Sequence, residues 1–160
     1  MHDATLCYLV DKNKILLGLK KRGFGEGRWN GYGGKVKPEE SVEDSIVREV
    51  KEEMNVVISK DFLEKAGVID FFFTNAPKGK SWDQTVHVFF VKEWEGTPEE
   101  TEEMRPQWFE FDKVPPGLMW EDDPHWLPLL IRGKKIKAKF TFGKDNSSVI
   151  KKNVKLVGNL

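Results

Sequence analysis

Apolar and polar residues at the start of the chain follow the pattern of a β-hairpin. The runs ATLCYLV and KILLGLKK are typical of strands, and they flank the segment DKNK. Asp and Asn favour turns there, because their side chains can hydrogen-bond the backbone that follows them. We therefore predict that the chain opens as a hairpin.

An apolar residue recurs every four positions between residues 42 and 54, which is the spacing of one helix face. These residues are Val42, Ile46, Val50 and Met54, with Val47 beside them. Ser41 stands three residues before Asp44 and suits the N-cap, and Asn55 tolerates the left-handed conformation of a helix C-terminus. The pattern predicts one amphipathic helix from about Val42 to Met54.

Five later runs are rich in the β-branched and aromatic residues that strands favour. They read AGVIDFFF, TVHVFFVKEW, PQWFEF, KIKAKFTF and SSVIKKNVKLV, and the segment PHWLPLLIRG between them is helical in pattern. The count is about seven strands and two helices, which predicts an α+β fold with a mixed or antiparallel sheet. Without a repeat or a linker in the sequence, we expect a single domain over residues 1–160.

Composition narrows the classes of function. The 160 residues include 26 basic and 26 acidic ones, and 39% are hydrophobic, which fits one globular domain and excludes a disordered or fibrous chain. The balanced charge gives no general reason to expect a nucleic acid polymer or a membrane as partner. Cys7 is the only cysteine, and the sequence shows neither a secretory signal nor a long apolar run. We expect a cytoplasmic monomer.

The candidate chemistry lies in the segment REVKEEMNV, where Glu49, Glu52 and Glu53 border the apolar face of the predicted helix. A solvated helix face would explain three glutamates. A metal site would explain them too, because partly desolvated carboxylates repel each other unless a cation neutralises them, and oxygen ligands suit Mg²⁺ or Mn²⁺. Upstream, RGFGEGRWNGYGGKV holds six glycines from Gly23 to Gly34, which predicts a shaped loop.

The spacing from this loop into the helix resembles the Nudix box. Gly34 is followed after five residues by Glu40, and after seven more by Arg48, Glu49 and the later glutamates. Where the family has a glycine near the helix end, this chain has Asn55. The resemblance implies a Nudix fold, in which a mixed sheet packs between helices and the box forms a loop-helix-loop. It also implies Mg²⁺-dependent hydrolysis of a nucleoside diphosphate linked to another group, with Mn²⁺ as a substitute for Mg²⁺.

Within that family, three segments are similar to the MutT-homologue branch, which hydrolyses oxidised purine nucleoside triphosphates of the 8-oxo-dGTP and 2-oxo-dATP type to monophosphates. The segments are LLGLKKRGFGEGRWNGYGGKV, GTPEETEEMRPQWFEFD and MWEDDPHWLPLL. This similarity implies an enzyme that sanitises the nucleotide pool and so prevents DNA damage.

The resemblance assigns a role to each matching residue. Glu49, Glu52 and Glu53 hold the metal with Gly33 and Glu103, one of these acids acts as the base, and Arg48 orients a glutamate. Asn30, Asp122 and Asp123 read the purine edges, while Trp120 and Phe24 flank the base. The remaining substrate-binding residues are Thr5, Lys20, Gly33, Gly34, Lys35 and Phe71.

Other interpretations remain open for several of these residues. Phe24 and Phe71 also suit the core, and WEDDP also suits a turn whose Asp caps the following helix. In a pocket, repulsion and desolvation would instead keep one acid of the pair protonated, which gives both a hydrogen-bond donor and an acceptor.

The loop TNAPKGKSWDQTV at residues 74–86 is longer than the family's usual connection. Its Lys78, Lys80 and Trp82 either edge the pocket or decorate a hairpin. The rival functions are another Nudix activity, on methylated purine triphosphates, dinucleoside polyphosphates or nucleotide sugars, and a non-catalytic nucleotide-binding module.

Overall fold

A computed structural model describes residues 1–160, apart from the side chain of Pro116. Within these residues the chain forms eight strands and two α-helices. The helices are α1 (Val42–Met54) and α2 (Asp123–Ile131). The strands are β1 (His2–Asp11), β2 (Lys14–Lys20), β3 (Trp29–Asn30), β4 (Leu63–Phe73), β5 (Gln84–Val91), β6 (Met104–Glu110), β7 (Lys135–Phe142) and β8 (Val149–Val157).

The sheet is mixed, as the sequence predicts. Its strand order is β3-β2-β1-β5-β4-β7-β8, and β6 pairs with β2. The pairs β1/β5 and β4/β7 are parallel, whereas the other pairs are antiparallel. Seven of the strands match predicted runs. The sequence pattern missed β3, because two residues inside a glycine-rich loop are too short to show an alternation.

Helix α1 has the predicted bounds and the predicted caps. The Ser41 hydroxyl oxygen accepts a hydrogen bond from the Asp44 backbone N–H at 3.0 Å. Asn55 has φ 57° and ψ 41°, which is the left-handed conformation, and its N–H donates to the Lys51 carbonyl at 3.0 Å. The helix therefore stops at a defined residue, directly after its last glutamate.

The two faces of the sheet carry separate apolar clusters because side chains alternate along a strand. Cys7 and Leu9 of β1 are fully buried under α1, together with its residues Ile46, Val50 and Met54. Tyr8, between them in sequence, faces the other way and packs with Trp126 of α2. The sheet thus lies between two helices, as the resemblance implies. Neither helix, among the residues described, is long and apolar enough to cross a membrane.

Candidate active site

The glycine-rich loop lies along the edge of β1 and ends above α1. The Thr5 N–H donates to the Gly34 carbonyl at 2.9 Å, and the Tyr32 N–H donates to the Cys7 carbonyl at 3.0 Å. At Gly33, a Cβ would lie 2.0 Å from the Thr5 carbonyl oxygen, so no other residue fits this close approach of two backbones. These contacts fix the peptide groups of residues 33 and 34 against the helix.

The three glutamates of α1 differ sharply in exposure. Glu53 is 5% exposed, and its Oε1 accepts a hydrogen bond from the Gly33 N–H at 2.9 Å. The side chain of Glu49 is 16% exposed, and it lies so close to Gly34 that a Cβ there would be 2.5 Å from Oε1. Glu52 is the outer acid, with 57% of its side chain exposed. Loop and helix therefore meet at Glu49 and Glu53.

Arg48 fixes the orientation of this group. Its Nε and Nη2 donate to the two carboxylate oxygens of Glu40 at 3.0 and 2.7 Å, and these hydrogen bonds lower the pKa of Glu40 to about 2. Its Nη1 donates to Glu49 Oε1 at 3.0 Å and to Glu52 Oε2 at 3.4 Å. The bidentate pair with Glu40 holds the guanidinium plane, and that plane holds the Glu49 carboxylate.

Burial raises the pKa of Glu53 to about 8, and the neighbouring charge of Glu49 adds to the rise. The pKa of Glu49 is also raised, chiefly by burial and against the effect of Arg48. A cation bound between Glu49 and Glu53 would offset both the burial of the charges and their repulsion. The two carboxylates offer only oxygen atoms, which fits Mg²⁺. Over the described residues, though, no three acids are already in ligand geometry, since Glu49 is turned to Arg48 and Glu53 to Gly33.

Glu103 lies on the same side without touching the helix acids. Its charge contributes to the raised pKa of both Glu49 and Glu53. Its Oε1 is 3.7 Å from Arg22 Nη2, and the side chain is half exposed. Glu103 is therefore close enough to act on the helix acids electrostatically.

A pocket of about 240 Å³ extends from Gly33 and Glu53 to the buried acids of α2. All eleven residues that the sequence assigns to substrate binding line it. They are Thr5, Lys20, Phe24, Asn30, Gly33, Gly34, Lys35, Phe71, Trp120, Asp122 and Asp123. Glu53 is the one glutamate of the helix in its lining, so the predicted phosphate end and the predicted base end belong to the same cavity.

Asp122 and Asp123 line the pocket, and each is 3% exposed. The Trp126 indole N–H donates to Asp122 Oδ2 at 2.8 Å, whereas Asp123 Oδ2 has no hydrogen-bond partner in the described part of the chain. Burial raises the pKa of both acids, and the charge of Asp122 raises that of Asp123 further. Both effects favour the protonated form of a carboxyl in this pair. Residues 121 and 122 form a turn, but Asp122 at the N-cap position of α2 makes no side-chain capping hydrogen bond, so the predicted helix cap is wrong.

Aromatic rings form the rim of the pocket. Phe24 is 58% exposed, and its ring centroid lies 5.0 Å from Trp120 and 5.4 Å from Trp82. The guanidinium carbon of Arg28 lies 4.0 Å from the Trp120 ring centroid. Phe24 is thus a rim residue and not a core residue. Trp82 of the long loop packs against Phe24 and Phe73, which line the pocket. Lys78 and Lys80 of the same loop are exposed.

Phe71 is both core and pocket wall. Its ring stacks on Phe140 and Phe142, each at 5.8 Å, while it also lines the cavity. Sequence reasoning missed the neighbours that share this wall, because they belong to no motif. They are Phe73, Gln84, Val86 and Phe142. The available signal was the strand alternation, which puts Phe71 and Phe73 on one face of β4.

The chain is similar to known proteins of one family. The NUDIX domain family matches residues 1–130. The oxidized purine nucleoside triphosphate hydrolase of Mus musculus is 44% identical over 146 residues, which cover 91% of this chain and 89% of the mouse protein. The protein of the same name from Danio rerio is 44% identical over 86% of this chain and 85% of its own length. The crystal structure of a MutT protein from Bacillus halodurans superposes with a TM-score of 0.80 at 23% identity, covering 96% of this chain and 97% of that one.

Proposed function

This chain belongs to the Nudix family, and from that premise we propose that it hydrolyses oxidised purine nucleoside triphosphates, of the 8-oxo-dGTP and 2-oxo-dATP type, to the monophosphate and pyrophosphate. The observation that carries the proposal is the single pocket that joins a buried pair of acids to the glutamate end of α1. Two relatives named for hydrolysis of oxidised purine triphosphates support the choice of substrate. The role in the cell is to remove damaged nucleotides before they enter DNA.

The cofactor in this proposal is Mg²⁺, which Mn²⁺ can replace. Its ligands come from Gly33, Glu49, Glu52, Glu53 and Glu103, which offer only oxygen atoms. A bound divalent cation offsets the charge of the triphosphate and lowers the pKa of a water molecule.

At the phosphate end, a water oxygen attacks the phosphorus nearest the nucleoside, and the bond from that phosphorus to the next bridging oxygen breaks. Pyrophosphate leaves with that oxygen. One of the acids Glu49, Glu52, Glu53 or Glu103 takes the proton of the attacking water, while Arg48 keeps Glu49 in place. Lys20 and Lys35, which line the same cavity, carry charge of the sign that phosphate requires.

At the base end, Asp122 and Asp123 offer one protonated and one ionised carboxyl to the purine edge. The proton can lie on either acid, so the pair can match more than one pattern of donors and acceptors on an oxidised purine. Asn30 adds an amide to the same cavity, and its Oδ1 is oriented by the Gly31 N–H at 3.0 Å. Phe24 and Trp120, which line the same cavity, flank the base in this proposal.

The experiment is a screen of purine nucleoside triphosphates in ¹⁸O-labelled water. Oxidised purines should give the highest kcat/KM, the product should be pyrophosphate, and the label should appear in the monophosphate. Preference for methylated triphosphates, dinucleoside polyphosphates or nucleotide sugars would replace the substrate assignment. Label found only in inorganic phosphate would exclude the proposed site of attack, and binding without turnover would indicate a non-catalytic module.

The remaining parts of the proposal concern the whole chain. Residues 1–160 act as one domain, the protein is a cytoplasmic monomer, and its partner at this site is a small-molecule nucleotide.

A further inference from the structure

Gln84 is a polar residue on the apolar side of the pocket. It is the first residue of β5, and it pairs with Phe71 of β4, which lines the same cavity. Val86, two positions later, lines the cavity too and is almost fully buried. Because residues two apart on a strand point to the same face, the Gln84 side chain faces the cavity together with Val86.

The amide of Gln84 is unpaired among the residues that the structure describes. The residues on either side of it are both engaged, since Asp83 Oδ1 accepts from the Phe73 N–H at 2.9 Å and the Thr85 hydroxyl donates to Asp70 at 2.7 Å. The carboxamide between them makes no hydrogen bond to any residue that the structure describes. It carries two donor hydrogens and an acceptor oxygen, and a half-buried amide left unpaired in a filled pocket is unfavourable.

A purely structural role does not account for this side chain. Packing in an aromatic wall would be served better by an apolar residue, and a structural amide would hydrogen-bond a neighbouring strand or loop. The contacts of Asp83 instead fix the backbone at the start of β5, and this places the next side chain beside the aromatic wall. The amide is thus held at the cavity and left free for a ligand.

We infer that Gln84 is a specificity-determining residue, whose carboxamide hydrogen-bonds a polar group on the edge of the bound purine. The identity of the base rests on the proposed function. Rotation of the amide offers either N–H to a carbonyl group or oxygen to an amino group. A purine that lacks a polar group at that position leaves the amide unpaired and is discriminated against.

The test replaces Gln84→Met, which keeps a long unbranched side chain and removes the hydrogen-bonding atoms. Gln107→Met is the matched control, because Gln107 is an exposed residue of β6 outside the pocket. Dissociation constants are measured for purine nucleoside monophosphates that differ in one edge group: dGMP against dIMP, 8-oxo-dGMP against dGMP, and 2-oxo-dAMP against dAMP. Steady-state kcat and KM are measured on the corresponding triphosphates.

The Gln84→Met variant should bind the nucleotide that carries the contacted group about two- to twelvefold more weakly than the wild type does. It should bind the nucleotide that lacks this group as tightly as the wild type does. KM should rise by a similar factor with kcat within about twofold, because the contact is the same in the ground and transition states. Gln107→Met should change none of these values. Gln84→Asn keeps the amide on a side chain shorter by one methylene, so it should lose part of the discrimination. This second variant keeps the test valid if Gln84→Met fails to fold.

Equal weakening for both members of every pair, unchanged binding, or a lower kcat with unchanged KM would overturn the inference. So would a wild-type protein that binds no purine nucleotide. If the wild type binds the monophosphates but does not hydrolyse oxidised triphosphates, the proposed function fails, and the binding ratios still decide the role of Gln84.

Discussion

We expect Glu53→Gln to make the metal-free protein more stable at alkaline pH, although it should abolish activity. Glu53 is buried, and its pKa of about 8 in the folded protein is well above the 4.5 of a free glutamate. Because the pKa of Glu53 is higher in the folded protein than in the unfolded chain, its contribution to the free energy of unfolding is fully present below pH 4.5. This contribution is lost as pH rises toward 8. At pH 9, the folded wild type must hold an ionised carboxylate in a dry place.

The size of the effect follows from the same pKa. The difference between 4.5 and about 8 corresponds to roughly 5 kcal/mol of unfolding free energy, and relaxation of the site reduces this to about 2–5 kcal/mol. The glutamine keeps an oxygen for the Gly33 N–H, which donates to Glu53 at 2.9 Å, and removes only the charge. The variant should equal the wild type near pH 4.5 and exceed it at pH 9.

Magnesium should narrow this difference in stability. A cation that binds the folded wild type at a concentration 100 times its Kd adds about 2.7 kcal/mol, whereas the uncharged variant should gain little. The kcat of the variant should fall by more than tenfold, because Glu53 is a proposed metal ligand. A smaller loss, below about 1.4 kcal/mol of activation free energy, would mean that Glu53 is not a central ligand.

Urea denaturation followed by tryptophan fluorescence, in EDTA and in MgCl₂, measures both parts of this expectation. Glu52→Gln is the control, since its side chain is 57% exposed and the substitution should change the metal-free stability by less than about 0.5 kcal/mol. A Glu53→Gln protein that is less stable than wild type in EDTA at pH 9 would refute the burial argument. A similar gain in the free energy of unfolding for Glu52→Gln would mean that the change in net charge, and not the burial of Glu53, stabilises the protein.

Three further predictions use the same assays. Asp122→Asn and Asp123→Asn should lower kcat/KM about five- to several-hundredfold, unequally for 8-oxo-dGTP and 2-oxo-dATP, with unchanged Mg²⁺ dependence; equal small losses that include dGTP would contradict base reading. Arg48→Lys keeps the charge but loses the bidentate pair with Glu40, so kcat should fall about tenfold or more with KM nearly constant; a rise in KM alone would indicate a substrate contact. Trp82→Ala should raise KM about two- to tenfold because Phe24 loses its neighbouring ring, and Lys80→Ala should not.

Features governed by local rules were predictable from the sequence. The bounds and caps of α1 depend on a repeat of four and on the chemistry of Ser41 and Asn55, and both are visible in one short segment. The positions of the predicted substrate residues came from the resemblance, which extends over nearly the whole chain, and all of them line one cavity.

Features set by the register between distant strands could not be predicted in this way. Gln84 lies in the pocket because β5 pairs with β4 so that residue 84 stands opposite Phe71, and nothing near Gln84 in sequence shows this pairing. The inward position of Trp82 depends likewise on its contacts with Phe24 and Phe73, which come from other parts of the chain. The preference of Glu49 for Arg48 is a matter of side-chain geometry that a helical projection does not contain.

The burial of Cys7 beneath α1 has a consequence for the durability of the protein. Its thiol is fully buried, and burial raises its pKa to about 12, so the reactive thiolate is almost absent at neutral pH. Met54, Met104 and Met119 are buried as well, which leaves Met1 as the accessible sulfur among the four methionines. Oxidised nucleotides accumulate when oxidants are abundant, and under those conditions a damaged enzyme would fail when it is most needed. By keeping the sulfur atoms of Cys7 and of three methionines inside the two apolar clusters, this fold shields them from the reagents that create its proposed substrates.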